Sequence, residues 1–107
     1  MSKASRDKGL SGEREVRHVF EDAGFPVRGL EGLGDQLVVC GDAVTLHVEV
    51  KRAEALRMSE WSKQAEGEAP PGVVPLVVYR RNREPWRVSI LLDDLIALLP
   101  VAEVEVK

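Results

Sequence analysis

Apolar and polar positions follow two rhythms along this chain. In KGLSGEREVRHVFEDAGFP, Val16, Val19, Phe20 and Ala23 recur at i, i+3, i+4, i+7, which predicts an amphipathic helix over residues 9–23. Gly24 and Pro26 stop it, one by supplying a left-handed cap and the other by refusing to continue. Glu13 lies two turns before Phe20 on nearly the same stripe. A carboxylate at the end of an apolar face needs a reason.

The rhythm then shortens to two. Glycines 29, 32 and 34 lead into a strand over residues 35–40, and GDA at 41–43 is a hairpin turn. The next strand, 44–51, places Val44, Leu46, Val48 and Val50 on one face and Thr45, His47, Glu49 and Lys51 on the other. Residues 35–51 therefore read as an antiparallel hairpin with one buried face. AEALRMSEWSKQAEGEA returns to helical spacing through Met58, Trp61 and Ala65, and Pro70-Pro71-Gly72 closes it.

VVPLVVYR is nearly all apolar, as in a strand covered on both faces, with Pro75 tolerable at an end or a bulge. RNREP turns, and WRVSILL directs Trp86, Val88, Ile90 and Leu92 inward. Asp93 is placed to cap a short helix, DDLIALL, ended by Pro100. The tail VAEVEVK alternates like a strand with no obvious partner. With a three-strand meander between the first two helices, the predicted order is α-β-β-β-α-β-β-α, an α/β sandwich with a central mixed β-sheet flanked by helices.

A chain of 107 residues holds one domain with a modest core, so a homodimer is expected. No apolar run approaches a membrane span, and the polar N-terminus has no signal-peptide profile. The single Cys40, inside LVVC, reads as a small buried hydrophobe in a cytoplasmic protein. A net charge of −3 runs against the basic excess usual in nucleic-acid-binding domains. Positive charge is nevertheless segregated: residues 1–8 carry +2, residues 51–57 carry +2 and residues 80–87 carry +3. Such local excess is what a phosphate-binding surface needs.

Taken alone, Glu49 and Lys51 are a solvated ion pair on one strand face, about 6.5–7 Å apart. If the hairpin closes at Gly41-Asp42, Asp35 comes beside both, and Glu13 approaches from the first helix. Carboxylates gathered this way repel one another unless a cation lies between them. Mg²⁺ suits such oxygen ligands, polarises a phosphate oxygen and lowers the pKa of water, with lysine beside it to stabilise developing charge. This is a kit for phosphodiester hydrolysis. His47 shares the face of Glu49 and reads as a rim residue, while Trp61 and Trp86 fit the core.

GD at 34–35, a hairpin and EVK at 49–51 resemble the centre of the PD-(D/E)XK nuclease superfamily, the restriction-endonuclease-like fold. KGLSGER resembles the first helix of archaeal-type Holliday junction resolvases and their phage and bacterial relatives. WSKQA resembles the helix after the ExK strand, and PLVVYRRNREPW the following basic hairpin. The resemblance runs over residues 8–98, with glycine where the motif's proline would stand.

The resemblance implies a nuclease domain over residues 8–99, between a mobile basic arm, 1–7, and a tail, 100–107. It makes Asp35 and Glu49 metal ligands with the Val50 carbonyl, Glu13 a ligand directly or through water, Lys51 the catalytic lysine and Gln64 a supporting residue. Lys8, Arg14, Arg52, Arg80, Arg81 and Arg83 are the candidate DNA contacts.

The implied activity is a Mg²⁺-dependent structure-selective endonuclease, a Holliday junction resolvase leaving 5′-phosphate and 3′-hydroxyl ends, with Mn²⁺ able to substitute. Its partners would be branched or duplex DNA and a second copy of itself, the tail and third helix being candidate interface pieces. A phage or prophage source is open. The alternatives are another nuclease of this superfamily, of repair, flap or restriction type, or a non-catalytic nucleic-acid-binding module on the same fold.

Overall fold

The computed structural model describes residues 3–29 and 36–100, with side chains from residue 11 onward. The elements follow the predicted order: α1 (Lys3–Asp22), β1 (Val27–Gly29), β2 (Gln36–Cys40), β3 (Thr45–Arg52), α2 (Met58–Glu68), β4 (Val74–Arg80), β5 (Arg87–Ile90) and α3 (Leu92–Leu98). The strands form one sheet in the order β1-β2-β3-β4-β5. All neighbours are antiparallel except β3 and β4, which are parallel. A parallel pair needs a crossover, and α2 supplies it. Among the described residues no helix is long and apolar enough to cross a membrane.

The first helix begins earlier than its apolar stripe, so residues 3–7, expected as a mobile arm, are helical. Its end is built by Gly24, whose φ of 97° is left-handed. Gly24 donates its N–H to the Glu21 carbonyl, and Phe25 donates to that of Phe20, the paired bonds of a Schellman cap. Gly12 lies buried against the sheet, where an added Cβ would meet the Trp86 ring at 3.4 Å. Val16 and Phe20 follow one turn apart, whereas Val19 turns outward.

On the α1 face of the sheet, Val16 packs with Leu37, Val39, Val48, Val50, Leu76 and Val78. The opposite face carries a second, smaller cluster of Trp61, Ala65 and Val77, contributed by α2 and β4. β4 is thus covered on both sides, as its unbroken apolar run predicts. Pro75 pairs with His47 on β3 but lies beyond the β5 ladder, which begins at Leu76. An end position accommodates its missing N–H.

Three expectations are corrected. The polar face of β3 is not open, because α2 closes over it and buries His47 and Glu49 as fully as Val48. Leu91, not Asp93, occupies the cap position of α3; Asp93 and Asp94 sit in its first turn, where carboxylates complement the helix dipole. Val88 and Leu92, expected inward, are 57% and 68% exposed. β5 is an edge strand and α3 buries no residue, so nothing among the described residues covers them.

Candidate active site

β3 and β4 run in the same direction, so their carboxyl ends share one edge of the sheet. In α/β sheets that edge is where ligands gather. Glu49, Lys51 and Arg52 lie toward this end of β3, and Arg80 ends β4. Antiparallel pairing brings the start of β2 to the same place, with Gln36 the Cα partner of Glu49. Alternation turns Val48 and Val50 toward α1, leaving Glu49 with Val77 and Gln36 on the α2 face.

Glu49 is 0% exposed, and its two oxygens have different neighbours. Oε1 lies 3.3 Å from His47 Nε2, two residues back on the same face. Oε2 lies 4.0 Å from Lys51 Nζ, whose side chain keeps 18% exposure. A carboxylate out of water is costly unless charge and hydrogen bonds replace its hydration. Glu49 is therefore held between an imidazole on one side and an ammonium on the other.

A further layer comes from the end of α2. Glu68 Oε2 accepts a hydrogen bond from the amide of buried Gln36. Glu68 Oε1 accepts one from Gln64 Nε2 at 3.3 Å, an i, i+4 pair. His47, Glu49 and Glu68 each present a ligand atom, all within 4.8 Å of one another. Gln64, identified by resemblance, thus reaches the cluster through Glu68. Glu68 and Gln36 join the cluster only through the fold, and His47, expected at the rim, is 1% exposed.

Glu13 stands on α1, the helix against the other face of the sheet. Its carboxylate is 3.6 Å from Arg17 Nη2, and Arg17 donates to the Val27 carbonyl at 3.2 Å. An added Cβ on Gly29 would lie 2.6 Å from that guanidinium, so glycine leaves room for it. This ion pair accounts for a carboxylate on the apolar stripe. Glu13 nevertheless lies beside the Gly29 end of β1, which pairs with the beginning of β2. Asp35 lies outside the described residues; the residue after it, Gln36, sits opposite Glu49. Val50 directs its side chain into the α1 core.

The basic residues separate into two groups. The guanidinium of Arg80, expected to face phosphates, is engaged within the protein. It pairs with Glu15 at 3.2 Å and lies 5.0 Å from the centroid of the Trp86 ring, with its side chain only 12% exposed. Arg81 and Arg83 are exposed in the β4–β5 turn, Arg83 at a left-handed φ of 63°. Arg52 donates to Asn82 in that turn at 3.5 Å, and Arg14 is exposed on α1. Lys8 is helical.

Among solved structures, the chain is similar to Hjc, a Holliday junction resolvase from the hyperthermophilic archaeon Archaeoglobus fulgidus. The TM-score is 0.57 with 23% identity, covering 78% of this chain and 72% of that one. The two share a fold. No family model matches the sequence, and no curated protein matches it.

Proposed function

We propose that this chain is a divalent-metal-dependent DNA endonuclease acting on branched DNA, most like a Holliday junction resolvase of the PD-(D/E)XK type. The observation that carries the reading is the buried Glu49 carboxylate with Lys51 Nζ 4.0 Å from Oε2, at the carboxyl end of a parallel strand pair. The likeness to a junction resolvase supports the same reading at the level of the fold.

Hard carboxylate oxygens beside a lysine fit a Mg²⁺ ion, with Mn²⁺ as a substitute. Asp35, Glu49 and the Val50 carbonyl would hold it, and Glu13 directly or through water. When bound, such an ion supplies Lewis acidity to a phosphate oxygen and acidifies a water. Lys51, beside Glu49, would orient the attacking water or stabilise charge developing on the phosphate oxygens. Gln64 steadies the surroundings through Glu68. Hydrolysis by in-line attack leaves a 5′-phosphate and a 3′-hydroxyl.

Arg81 and Arg83 in the turn, with Arg52, Lys8 and Arg14, are the proposed phosphate contacts. Two strands related by near two-fold symmetry call for two sites, which a C₂ homodimer provides. The exposed apolar surface of Val88, Leu92, Leu95 and Ile96 supports an interface there. A second reading, a repair, flap or restriction-type nuclease, is favoured by one feature. Arg80 is engaged internally in an already acidic chain, which narrows the surface that could grip a large junction.

Labelled four-way junctions, flaps and plain duplex, incubated with Mg²⁺ or EDTA, decide between these readings. Symmetric, Mg²⁺-dependent nicking of the junction alone, lost in Asp35→Asn and Lys51→Ala, is the expected result. Equal cutting of flaps or duplex moves the assignment to the second reading. Binding without cutting removes both.

A further inference from the structure

His47 belongs to no part of the nuclease reading, yet it is one of the most deeply buried side chains in the protein. We propose that His47, Glu49 and Glu68 form a nitrogen-containing site for a first-row transition-metal ion such as Zn²⁺ or Mn²⁺. The inference goes beyond the nuclease reading and does not depend on it, although Glu49 is common to both.

The spacing suits such an ion. Metal–ligand bonds of about 2.0–2.2 Å place neighbouring ligand atoms roughly 3.0–3.5 Å apart. His47 Nε2 and Glu49 Oε1 are separated by 3.3 Å, and the Glu68 carboxylate completes a triangle whose sides do not exceed 4.8 Å. Glu68 is the exposed member of the three.

The donor set decides the class of ion. Mg²⁺ prefers oxygen and its own waters, whereas an imidazole together with carboxylates suits zinc and its transition-series neighbours. With His47 neutral, two carboxylates match the charge of a divalent ion, and their mutual repulsion is relieved.

The surroundings already orient the ligands. Amides from Gln36 and Gln64 hold the two oxygens of Glu68, the kind of outer support that fixes ligand direction in metal sites. His47 and Glu49 share one strand face two residues apart, so the backbone holds their relative position. Glu68, on the last turn of α2, provides the open side for entry.

The competing account is a buried His47–Glu49 hydrogen bond with only a packing role, and binding measurements without DNA distinguish the two. The full-length untagged chain is titrated with Zn²⁺ by calorimetry and loaded with Mn²⁺ for pulsed electron paramagnetic resonance. The proposal expects one tightly bound Zn²⁺ per chain and a ¹⁴N coupling from an imidazole bound directly to Mn²⁺. His47→Gln removes that coupling and weakens Zn²⁺ binding about 10–100-fold. Glu68→Gln weakens binding but keeps the coupling. His18→Gln, the control for the one other histidine, changes neither.

Absence of Zn²⁺ and Mn²⁺ binding, Mn²⁺ bound without ¹⁴N coupling, or His47→Gln binding like wild type would each overturn it. Should His47→Gln fail to fold, the wild-type ¹⁴N spectrum still decides. Mn²⁺ held by oxygen ligands alone removes this site and leaves the nuclease reading standing, whereas loss of nuclease activity with the ¹⁴N coupling intact leaves this site standing.

Discussion

Replacing Arg80 by methionine separates a structural arginine from a DNA-binding one. Arg80 Nη2 reaches both oxygens of Glu15, at 3.2 and 3.4 Å, and Nη1 donates to the Arg81 carbonyl. Glu15 is 43% exposed, so solvent screens the pair and its contribution is about 0.5–1 kcal/mol. The cation–π contact with Trp86 adds about 0.5–1 kcal/mol. Methionine keeps most of the apolar stem, so Arg80→Met should cost about 1–2 kcal/mol. For a domain of this size that lowers the melting temperature by roughly 4–16 °C.

A double-mutant cycle with Glu15→Gln should return a coupling of about 0.5–1 kcal/mol. The salt dependence of DNA binding supplies the second readout. Each phosphate contact removed lowers the slope of log K against log salt by about 0.9. Arg80→Met should leave the slope unchanged, whereas Arg81→Met should lower it by that amount. Unchanged stability in Arg80→Met, or a slope reduced as far as in Arg81→Met, would refute the assignment.

Three further outcomes are expected. Arg83→Gly relieves a left-handed φ and should raise stability by about 1 kcal/mol in thermal unfolding, while lowering the salt slope of DNA binding by about 0.9. Gly24→Ala places a Cβ at φ 97° and should cost about 1–2 kcal/mol in chemical denaturation. Ile96→Glu, on the exposed face of α3, should convert a dimer to a monomer in light scattering; an unchanged mass would move the interface elsewhere.

The order of elements was legible because helical and strand rhythms alternate cleanly, with Gly24-Phe25-Pro26 and Pro70-Pro71-Gly72 as punctuation. The alternation of β3 also placed Glu49 and Lys51 on a common face. It could not tell that this face is closed, since period two says which residues share a side and nothing about what covers it. The cover is α2, and its packing depends on contacts such as Trp61 with Val77 that lie far apart in sequence. Hence His47 read as a rim residue although it is buried.

Glu68 was invisible for a related reason: its carboxylate reaches Gln36, 32 residues away, only once α2 is docked. The i, i+4 spacing from Gln64 was the one local signal. Arg80 shows the same limit: a basic run looks the same whether its members face solvent or, as Arg80 does, a carboxylate on a distant helix. Glu13, conversely, has a partner legible within the helix itself, since Arg17 stands one turn on and pairs with it.

The central claim is that Glu49 serves chemistry at the carboxyl end of β3. Mg²⁺-dependent cleavage of a four-way junction by Glu49→Gln, beside wild type, tests it most directly. Glutamine keeps the size and a hydrogen-bonding group beside His47, so circular dichroism should report an intact fold. Cleavage should fall by about two orders of magnitude or more. A folded Glu49→Gln protein that cuts the junction as fast as wild type, or a wild-type chain that cuts no DNA with Mg²⁺, would contradict it.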